Sequence, residues 1–191
     1  MKSLIEAEIK KAIKVLENGG VILYPTDTIW GIGCDATNKQ AVEKIFHIKR
    51  REKNKSMIVL MENIDQLKKY IVNVPMMAYD LIENANRPTT IIYPEAKNLP
   101  DNLIAADGSI AVRIPDHELC QLLIKTFGKP ITSTSANFSG EISADCYENI
   151  STELLPQMDY IIQIMHTQII KSTPSRILKL DKEGCYSVIR D

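Results

Sequence analysis

The chain has 191 residues, which fits one domain with a hydrophobic core of its own. Its hydrophobic and charged fractions, 45% and 25%, are those of a globular protein. The formal net charge of −1 gives no overall attraction to nucleic acid, so any recognition of phosphate must come from a local basic cluster.

The cysteines and the N-terminus bear on the cellular compartment. The four cysteines lack the spacing of a C-x-x-C motif or a zinc site, and we expect reduced, mostly buried thiols. The N-terminus has neither the apolar core nor the cleavage site of a secretory signal, and no stretch reaches the length of a membrane span. We therefore expect a cytoplasmic protein.

Helices and strands alternate along the first half of the chain. An apolar pattern of helical period over residues 3–18 predicts a helix that two glycines end. A short strand over 21–24 follows, and the hydroxyl-rich segment 26–38 is typical of a loop. Further helices are predicted at 39–50, 65–71 and 76–84, and further strands at 57–61 and 89–93.

The second half continues the alternation and brings some strands together near the C-terminus. A strand is predicted over 109–114, a helix over 116–127, a strand over 131–133, and short strands over 160–165, 176–180 and 186–190. This order predicts the α/β class, with a twisted mixed sheet and helices on its faces. No linker-like stretch or repeat divides the chain, so we expect a single domain over residues 1–191.

The segment KRREKNK at 49–55 has five basic residues out of seven. Lys49 follows Val42 by seven residues and continues the apolar stripe of the preceding helix, an odd place for a lysine unless it points into a cleft. With Arg51 and Lys55 beyond the helix, the segment can bind a polyphosphate. The alternative is a solvated helix end whose cations complement the helix dipole.

The segment STSANFSG at 133–140, with Ser143 beyond it, forms a second hydroxyl-rich loop after a short strand. Such a loop offers backbone N–H groups and hydroxyls to an anion, and its glycine permits a close approach. It does not have the P-loop pattern, which excludes a Walker-type nucleoside triphosphatase. An ordinary polar turn is the alternative.

Two further features favour a site for a small polar ligand. In YPTDTIWGIG at 24–33, short polar side chains lie beside aromatic ones after a strand, which suits a small pocket or an ordinary turn. Arg113 lies in an otherwise apolar strand; if it faces a cleft rather than water, it is a natural clamp for a carboxylate. No Ser-His-Asp, Cys-His or paired-carboxylate arrangement stands out.

Taken in this order, the segments resemble the YrdC-like family, in particular its short bacterial TsaC type, over about residues 5–190. SIAVRIPDH and STSANFSG match closely. YPTDTIWGIG resembles the strand-exit motif, with Trp30 where tyrosine is usual, and KRREKNKSMIVL resembles the K-x-R segment and its strand. NRPTTIIYP and PSRI resemble the segments P-G-P-x-T and P-S-x-I. The related YciO-like branch departs from the S-x-S-A-N-x-S-G loop that this chain retains, and we expect no additional C-terminal domain.

The resemblance implies a YrdC-like open sandwich with a central cleft. It also implies a nucleotidyltransferase that makes threonylcarbamoyl-AMP and pyrophosphate from L-threonine, bicarbonate and ATP, with Mg²⁺ accompanying the ATP. A TsaD-containing system would then transfer the threonylcarbamoyl group to adenosine 37 of tRNAs that read codons beginning with A. Such a reaction needs positioning and charge neutralisation rather than a covalent nucleophile.

The same resemblance assigns the site residues. Thr28, Arg113, Ser133 and Ser175 are implied to bind threonine. Lys49 and Arg51 are implied to be catalytic and, with Lys55, to hold the triphosphate of ATP. The nucleotide side is implied to include Ser109, Ser135, Asn137, Ser143 and Arg190. Two departures weaken single assignments: some archaeal relatives have His where this chain has Leu60, and some relatives have Asn where it has Lys55.

Two rival functions remain open at this stage. A non-catalytic factor for ribosome maturation, binding double-stranded RNA or tRNA through the basic segment, is the first; the slightly negative net charge speaks against it. The second is the YrdC-like module of hydrogenase maturation proteins, whose zinc-finger-like and acylphosphatase-like segments are not recognisable here.

Overall fold

The computed structural model describes residues 2–52, 56–166 and 174–191. The helices are α1 Lys2–Glu17, α2 Lys39–Ile48, α3 Ile64–Leu67, α4 Met76–Glu83 and α5 Glu118–Phe127. The strands are β1 Ile22–Tyr24, β2 Gly31–Gly33, β3 Ile58–Leu60, β4 Thr89–Tyr93, β5 Ile110–Arg113, β6 Ile131–Ser135, β7 Tyr160–Ile161, β8 Arg176–Leu180 and β9 Tyr186–Arg190. Two single-turn 3₁₀ helices lie at Tyr147–Asn149 and Leu155–Gln157.

Nine strands in the described ranges form one mixed sheet, in the order β7-β1-β2-β6-β3-β5-β4-β8-β9. The pairs β1–β7, β3–β5 and β4–β8 are parallel, and the other neighbours are antiparallel. The predicted α/β class, with a mixed sheet between helices, is confirmed. None of the helices in these ranges combines the length and the apolar character needed to span a lipid bilayer.

Alternate strand residues supply two separate cores, because successive side chains in a strand point to opposite faces of the sheet. Leu23, Val59 and Val112 face the layer that contains α2. Ile22 and Leu60 face the layer that contains α1 and α5. Helix α1 packs against α5 and over β1 and β7. Another part of the same face lines the cavity described below.

Helix α1 shows how the pattern in the sequence produces this packing. Ile5, Ile9, Ala12 and Leu16 recur three or four residues apart and are all buried against α5 and β1. Burial of one such isoleucine or leucine contributes about 1.5–3 kcal/mol. As predicted, glycine ends the helix: Gly19 has a φ of +72°, which a residue with a Cβ adopts only at a cost.

The prediction that residues 26–38 are all loop is wrong, because they contain β2. The sequence of this strand is Gly-Ile-Gly, and glycine usually weakens a strand. Here the two glycines allow close approach of the neighbouring strands: a Cβ on Gly33 would lie 2.3 Å from the carbonyl oxygen of Thr132 and 2.8 Å from a ring carbon of Tyr24. A Cβ on Gly31 would lie 3.1 Å from the Ser133 hydroxyl.

Other boundaries shift by a few residues. The helix predicted over 39–50 ends at Ile48, since Arg50 has a φ of +50° that no helix continues. Strand β6 runs to Ser135, two residues into the predicted loop, because it pairs with β2 and β3. The predicted helix 65–71 is the single turn α3, and the strand predicted over 160–165 contains only Tyr160–Ile161.

Of the four free cysteines, Cys34 and Cys120 are buried, so the expected burial holds for half of them.

Candidate active site

A cavity of about 390 Å³ opens on the part of the sheet that α1 and α5 leave uncovered. Its floor consists of alternate residues of adjacent strands. Ile58 of β3 pairs with Ser133 of β6 on one side and with Ala111 of β5 on the other, and Ala111 pairs with Ile92 of β4. Ile177 of β8 extends the floor. The sheet thus provides a flat, half-apolar base on which polar side chains are arranged.

The polar lining is cationic and rich in hydroxyls. Within the described ranges it includes no carboxylate, so the cavity attracts anions although the whole chain is slightly negative. The cations are Arg51, Arg113 and Arg190, and the hydroxyl side chains are Thr26, Thr28, Ser56, Ser133, Thr134, Ser135, Ser143 and Ser175.

Arg113, the last residue of β5, is 4% exposed and is held by two neighbours. Its Nη1 donates a hydrogen bond to Thr28 Oγ1 at 3.1 Å, and its Nη2 lies 3.3 Å from Asp27 Oδ1. The side chains of both members of this ion pair are more than nine-tenths buried. A buried guanidinium fixed in this way presents its remaining N–H groups in one orientation, as a carboxylate clamp requires.

The turn after β1 fixes the hydroxyl that Arg113 contacts. Thr26 Oγ1 accepts hydrogen bonds from the backbone N–H groups of Thr28 and Ile29, at 3.1 and 3.3 Å, and donates to the Ile29 carbonyl at 2.7 Å. Threonine hydroxyls commonly stabilise turns in this way. The Thr26 and Thr28 hydroxyls lie 3.0 Å apart, and the Thr28 oxygen accepts from Arg113.

Arg190 lines the cavity from the end of β9, which β4 and β8 separate from β5. Its Nε and Nη2 donate to the carbonyl oxygen of Ser175 at 3.1 and 2.7 Å. The Ser175 hydroxyl lies 2.9 Å from that of Thr90, which is fully buried. The hairpin of β8 and β9, in which Ile177 pairs with Arg190, brings these side chains together.

Arg51 lines the cavity just after α2. Its Nη2 donates to the carbonyl oxygen of Ser56 at 2.8 Å. Burial lowers the pKa of this guanidinium, because the charged form is partly removed from water. Arg51, Arg113 and Arg190 therefore all reach one cavity, although their residue numbers span most of the chain.

Lys49, expected to point into the cleft, is buried, but its ammonium does not line the cavity. Its Nζ donates to the backbone carbonyls of Ser135 and Asn137, the latter at 2.6 Å, where the chain leaves β6. Burial lowers the pKa of Lys49 to about 7, with a smaller contribution from the charge of Arg51 and an opposing one from Glu141. Lys49 therefore fastens the end of β6 to the end of α2.

The structure does not bring every predicted site residue to the cavity. Asn137 donates from Nδ2 to the carbonyl oxygen of Glu141 at 2.7 Å and stabilises the loop instead. Ser109 donates to Asp107 Oδ1 at 2.5 Å, at the opposite end of β5 from Arg113. Lys55 lies outside the described residues. The predicted residues that do meet in the cavity are Thr28, Arg51, Arg113, Ser133, Ser135, Ser143, Ser175 and Arg190.

Sequence reasoning missed the roles of Thr26 and Asp27 around the arginine. A signal for Asp27 was present, since a strand arginine that faces a cleft needs a counter-charge and Asp27 lies in one of the motifs singled out. Ser56 lies in the segment KRREKNKSMIVL, but that motif gave no sign that its backbone carbonyl accepts from Arg51.

Comparisons with known proteins place these residues in a family. The Sua5/YciO/YrdC family, described as telomere recombination, matches residues 14–191. A threonylcarbamoyl-AMP synthase of Pseudoalteromonas translucida (strain TAC 125) is 37% identical over 160 residues, which are 82% of this chain and 86% of that protein. A putative threonylcarbamoyl-AMP synthase of Methanocaldococcus jannaschii is 35% identical over 190 residues, 97% of this chain and 88% of that protein.

Solved structures agree with the sequence comparisons. The structure of P. abyssi Sua5 complexed with L-threonine matches with a TM-score of 0.86 and 27% identity, over 95% of this chain and 53% of that one. This chain thus spans about half the length of that Sua5 chain. E. coli YciO matches with a TM-score of 0.82 and 27% identity, over 96% of this chain and 88% of that one. These matches confirm the resemblance inferred from the motifs.

Proposed function

We propose that this chain, which belongs to the Sua5/YciO/YrdC family, is a threonylcarbamoyl-AMP synthase that converts L-threonine, bicarbonate and ATP into threonylcarbamoyl-AMP and pyrophosphate. Relatives with that name match 82% to 97% of this chain. The observation that carries the proposal is a single cavity with three arginines, many hydroxyls and, in its described lining, no carboxylate. Such a cavity suits a reaction whose substrates are all anionic or carry an anionic group.

The Arg113 end is proposed to bind L-threonine. The Arg113 guanidinium would hold the substrate carboxylate, and the fixed Thr28 hydroxyl would contact the same ligand. Ser133 and Ser175 line the cavity near enough to complete a small polar pocket. The P. abyssi Sua5 complex, which contains L-threonine, supports a threonine site in a protein of the same fold.

Arg51, which contacts the segment just before β3, and Arg190 of β9 are proposed to bind the triphosphate of ATP. Both arginines line the cavity, as do the hydroxyls of Ser135 and Ser143. Lys49 would support the Arg51 side by holding the backbone at Ser135. Mg²⁺ is proposed to enter as part of the MgATP substrate, because the described lining offers hydroxyls but no carboxylate, and the described residues contain no cluster of three metal-binding side chains.

The chemistry needs these charges more than it needs a nucleophilic side chain. The threonine amine must attack the carbon of bicarbonate, giving a carbamate and water, or that of the CO₂ formed from bicarbonate, giving a carbamate and a proton. The positive cavity favours the neutral amine over the ammonium and stabilises the carbamate anion. A carbamate oxygen then attacks the α-phosphorus of ATP and pyrophosphate leaves, a step in which positioning and charge neutralisation lower the barrier.

The product is proposed to serve tRNA modification in the cytoplasm, where a TsaD-containing system would transfer the threonylcarbamoyl group to adenosine 37. The rival role in RNA binding relies on the basic segment at 49–55. In its described part, Lys49 is buried and Arg51 lines the cavity, so two of its cations are directed into the protein rather than toward a duplex. We therefore favour the enzyme.

The test is pyrophosphate release by the purified protein with MgATP, with L-threonine and bicarbonate present or omitted one at a time. We expect release that requires both, together with threonylcarbamoyl-AMP in the mass spectrum. A protein that releases no pyrophosphate under any of these conditions but binds double-stranded RNA in a salt-dependent way would replace the proposal by the RNA-binding role.

A further inference from the structure

We infer that Asp27 is a positioning residue for threonine, which holds Arg113 from behind and leaves the cavity-facing N–H groups to the substrate. The inference rests on the proposed function and deepens its threonine site. Asp27 itself is not expected to touch the ligand. It belongs to the lining of a different cavity.

Because both side chains are buried, Arg113 needs Asp27 as its counter-charge. The side chains of Arg113 and Asp27 are 4% and 8% exposed. A guanidinium this deeply buried needs a counter-charge, because the loss of water around the charge must be offset within the protein. Among the described residues, Asp27 is the only carboxylate within ion-pairing distance of Arg113.

The two residues separate two cavities. Arg113 lines the cavity that contains Arg51 and Arg190, and Asp27 does not. Asp27 lines a second cavity of about 670 Å³, formed with α4 and the connection between β5 and α5, which Arg113 does not line. The carboxylate therefore meets the guanidinium on the side away from the proposed substrate, and a bound threonine need not displace it.

The geometry also preserves the donors of Arg113. A guanidinium has five N–H groups, and one of them donates to Thr28 Oγ1. The contact between Nη2 and Asp27 Oδ1 is 3.3 Å long, but among the described residues neither Asp27 Oδ1 nor Arg113 Nε has a hydrogen-bond partner. Asp27 thus balances the charge of Arg113 and orients it without using up its N–H donors, which stay available for a carboxylate.

Removing the Asp27 charge has opposite effects on threonine affinity depending on whether Asp27 competes with the substrate or orients Arg113. If Asp27 merely competed with the substrate for Arg113, its removal would tighten threonine binding. If Asp27 orients the guanidinium, its removal weakens binding, as the loss of a supporting partner behind a ligand-binding side chain generally does. Such losses are typically about 10–100-fold at metal-binding sites, and we expect the same range here.

The experiment is calorimetric titration of L-threonine, and separately of MgATP, into the wild type and the variants Asp27→Ala, Asp27→Asn and Asp27→Glu. Asp27→Ala and Asp27→Asn should each weaken threonine binding about 10–100-fold and change the ATP affinity by less than about threefold. Asp27→Glu should restore most of the loss, because the cavity behind Asp27 has room for one more methylene. Steady-state kinetics should show the change in the KM for threonine.

Asp116→Asn is the matched control, since Asp116 lines the same second cavity and forms no ion pair with Arg113. Unchanged or tighter threonine binding in the Asp27 variants would overturn the inference, as would an equal loss of affinity for both ligands together with a lower melting temperature. If the folded wild type itself fails to bind L-threonine, the proposed function is wrong instead.

Discussion

The two ends of the cavity hold their arginines in different ways. At one end Arg113 is buried, and the carboxylate of Asp27 faces it. At the other end Arg190 is exposed on β9 and donates to the backbone carbonyl of Ser175. A carboxylate balances a full positive charge, whereas a carbonyl oxygen balances only part of one, so the Arg190 end keeps more of its positive potential.

This difference matches the ligands proposed for each end. A small carboxylate of fixed shape gains most from a clamp that is oriented in advance, because little entropy is then lost on binding. A triphosphate carries several charges on a flexible chain and gains most from cations that remain incompletely neutralised. We therefore expect the two ends to respond differently to mutation, pH and salt.

The largest effect should come from removing the Arg113 guanidinium. Arg113→Ala removes the clamp and leaves Asp27 buried without its counter-charge. Truncating one side of a buried, hydrogen-bonded charge pair, here the pair proposed between Arg113 and the substrate carboxylate, costs about 2–5 kcal/mol. We therefore expect threonine affinity to fall by roughly 100-fold or more. ATP binding, measured separately by calorimetry, should persist.

Arg113→Lys provides the control for charge alone. Lysine keeps the positive charge but lacks the planar fork, so it should recover stability better than it recovers threonine binding. If Arg113→Ala leaves the dependence of turnover on threonine unchanged, Arg113 is not the clamp.

Sequence patterns predicted the fold best where an element has strong local signals. Strands β4, β8 and β9 lie at the predicted residues, since each is a short apolar or alternating run bounded by polar or turn residues. Strand β2 could not be predicted because its glycines are explained only by the close approach of Tyr24 and Thr132 across the sheet. Local patterns do not contain that information.

The same limit applies to the site. The sequence left open whether Arg113 faces a cleft or water, and whether Lys49 points into a cleft or belongs to a solvated helix end. In the fold both side chains are buried. Neither pattern gave the direction of the charged group. Lys49 reaches the carbonyls of Ser135 and Asn137, more than 80 positions along the chain, and only the folded sheet brings those atoms together.

An intermediate effect should come from the pH dependence of Lys49. Its pKa is about 7 in the folded protein and about 10.5 when unfolded, so between these values the unfolded chain binds more protons. The free energy of unfolding should therefore rise with pH across this window. Integration from pH 7 to pH 9 gives a contribution of about 2 kcal/mol. Urea unfolding at both values measures it.

Lys49→Met removes the titrating group while keeping a long side chain in the buried position. The difference in unfolding free energy between wild type and this variant should be about 2 kcal/mol larger at pH 9 than at pH 7, since other titrating groups cancel in the comparison. A difference that does not change with pH would mean that Lys49 keeps its ordinary pKa despite burial.

The smallest effect should come from removing the Arg190 charge and should depend on salt. Arg190→Gln removes one exposed cation of the cavity, and we expect ATP affinity to fall about tenfold with threonine affinity nearly unchanged. Because salt screens exposed charges more than buried ones, wild-type ATP affinity should decrease with salt more steeply than that of the variant, while threonine affinity should respond weakly in both.

Arg176→Gln is the matched control, since Arg176 pairs with Asp191 next to the cavity without lining it. Equal salt dependence of threonine and ATP binding in the wild type would mean that both ends are equally screened, and burial would then not be what separates the clamp from the phosphate site.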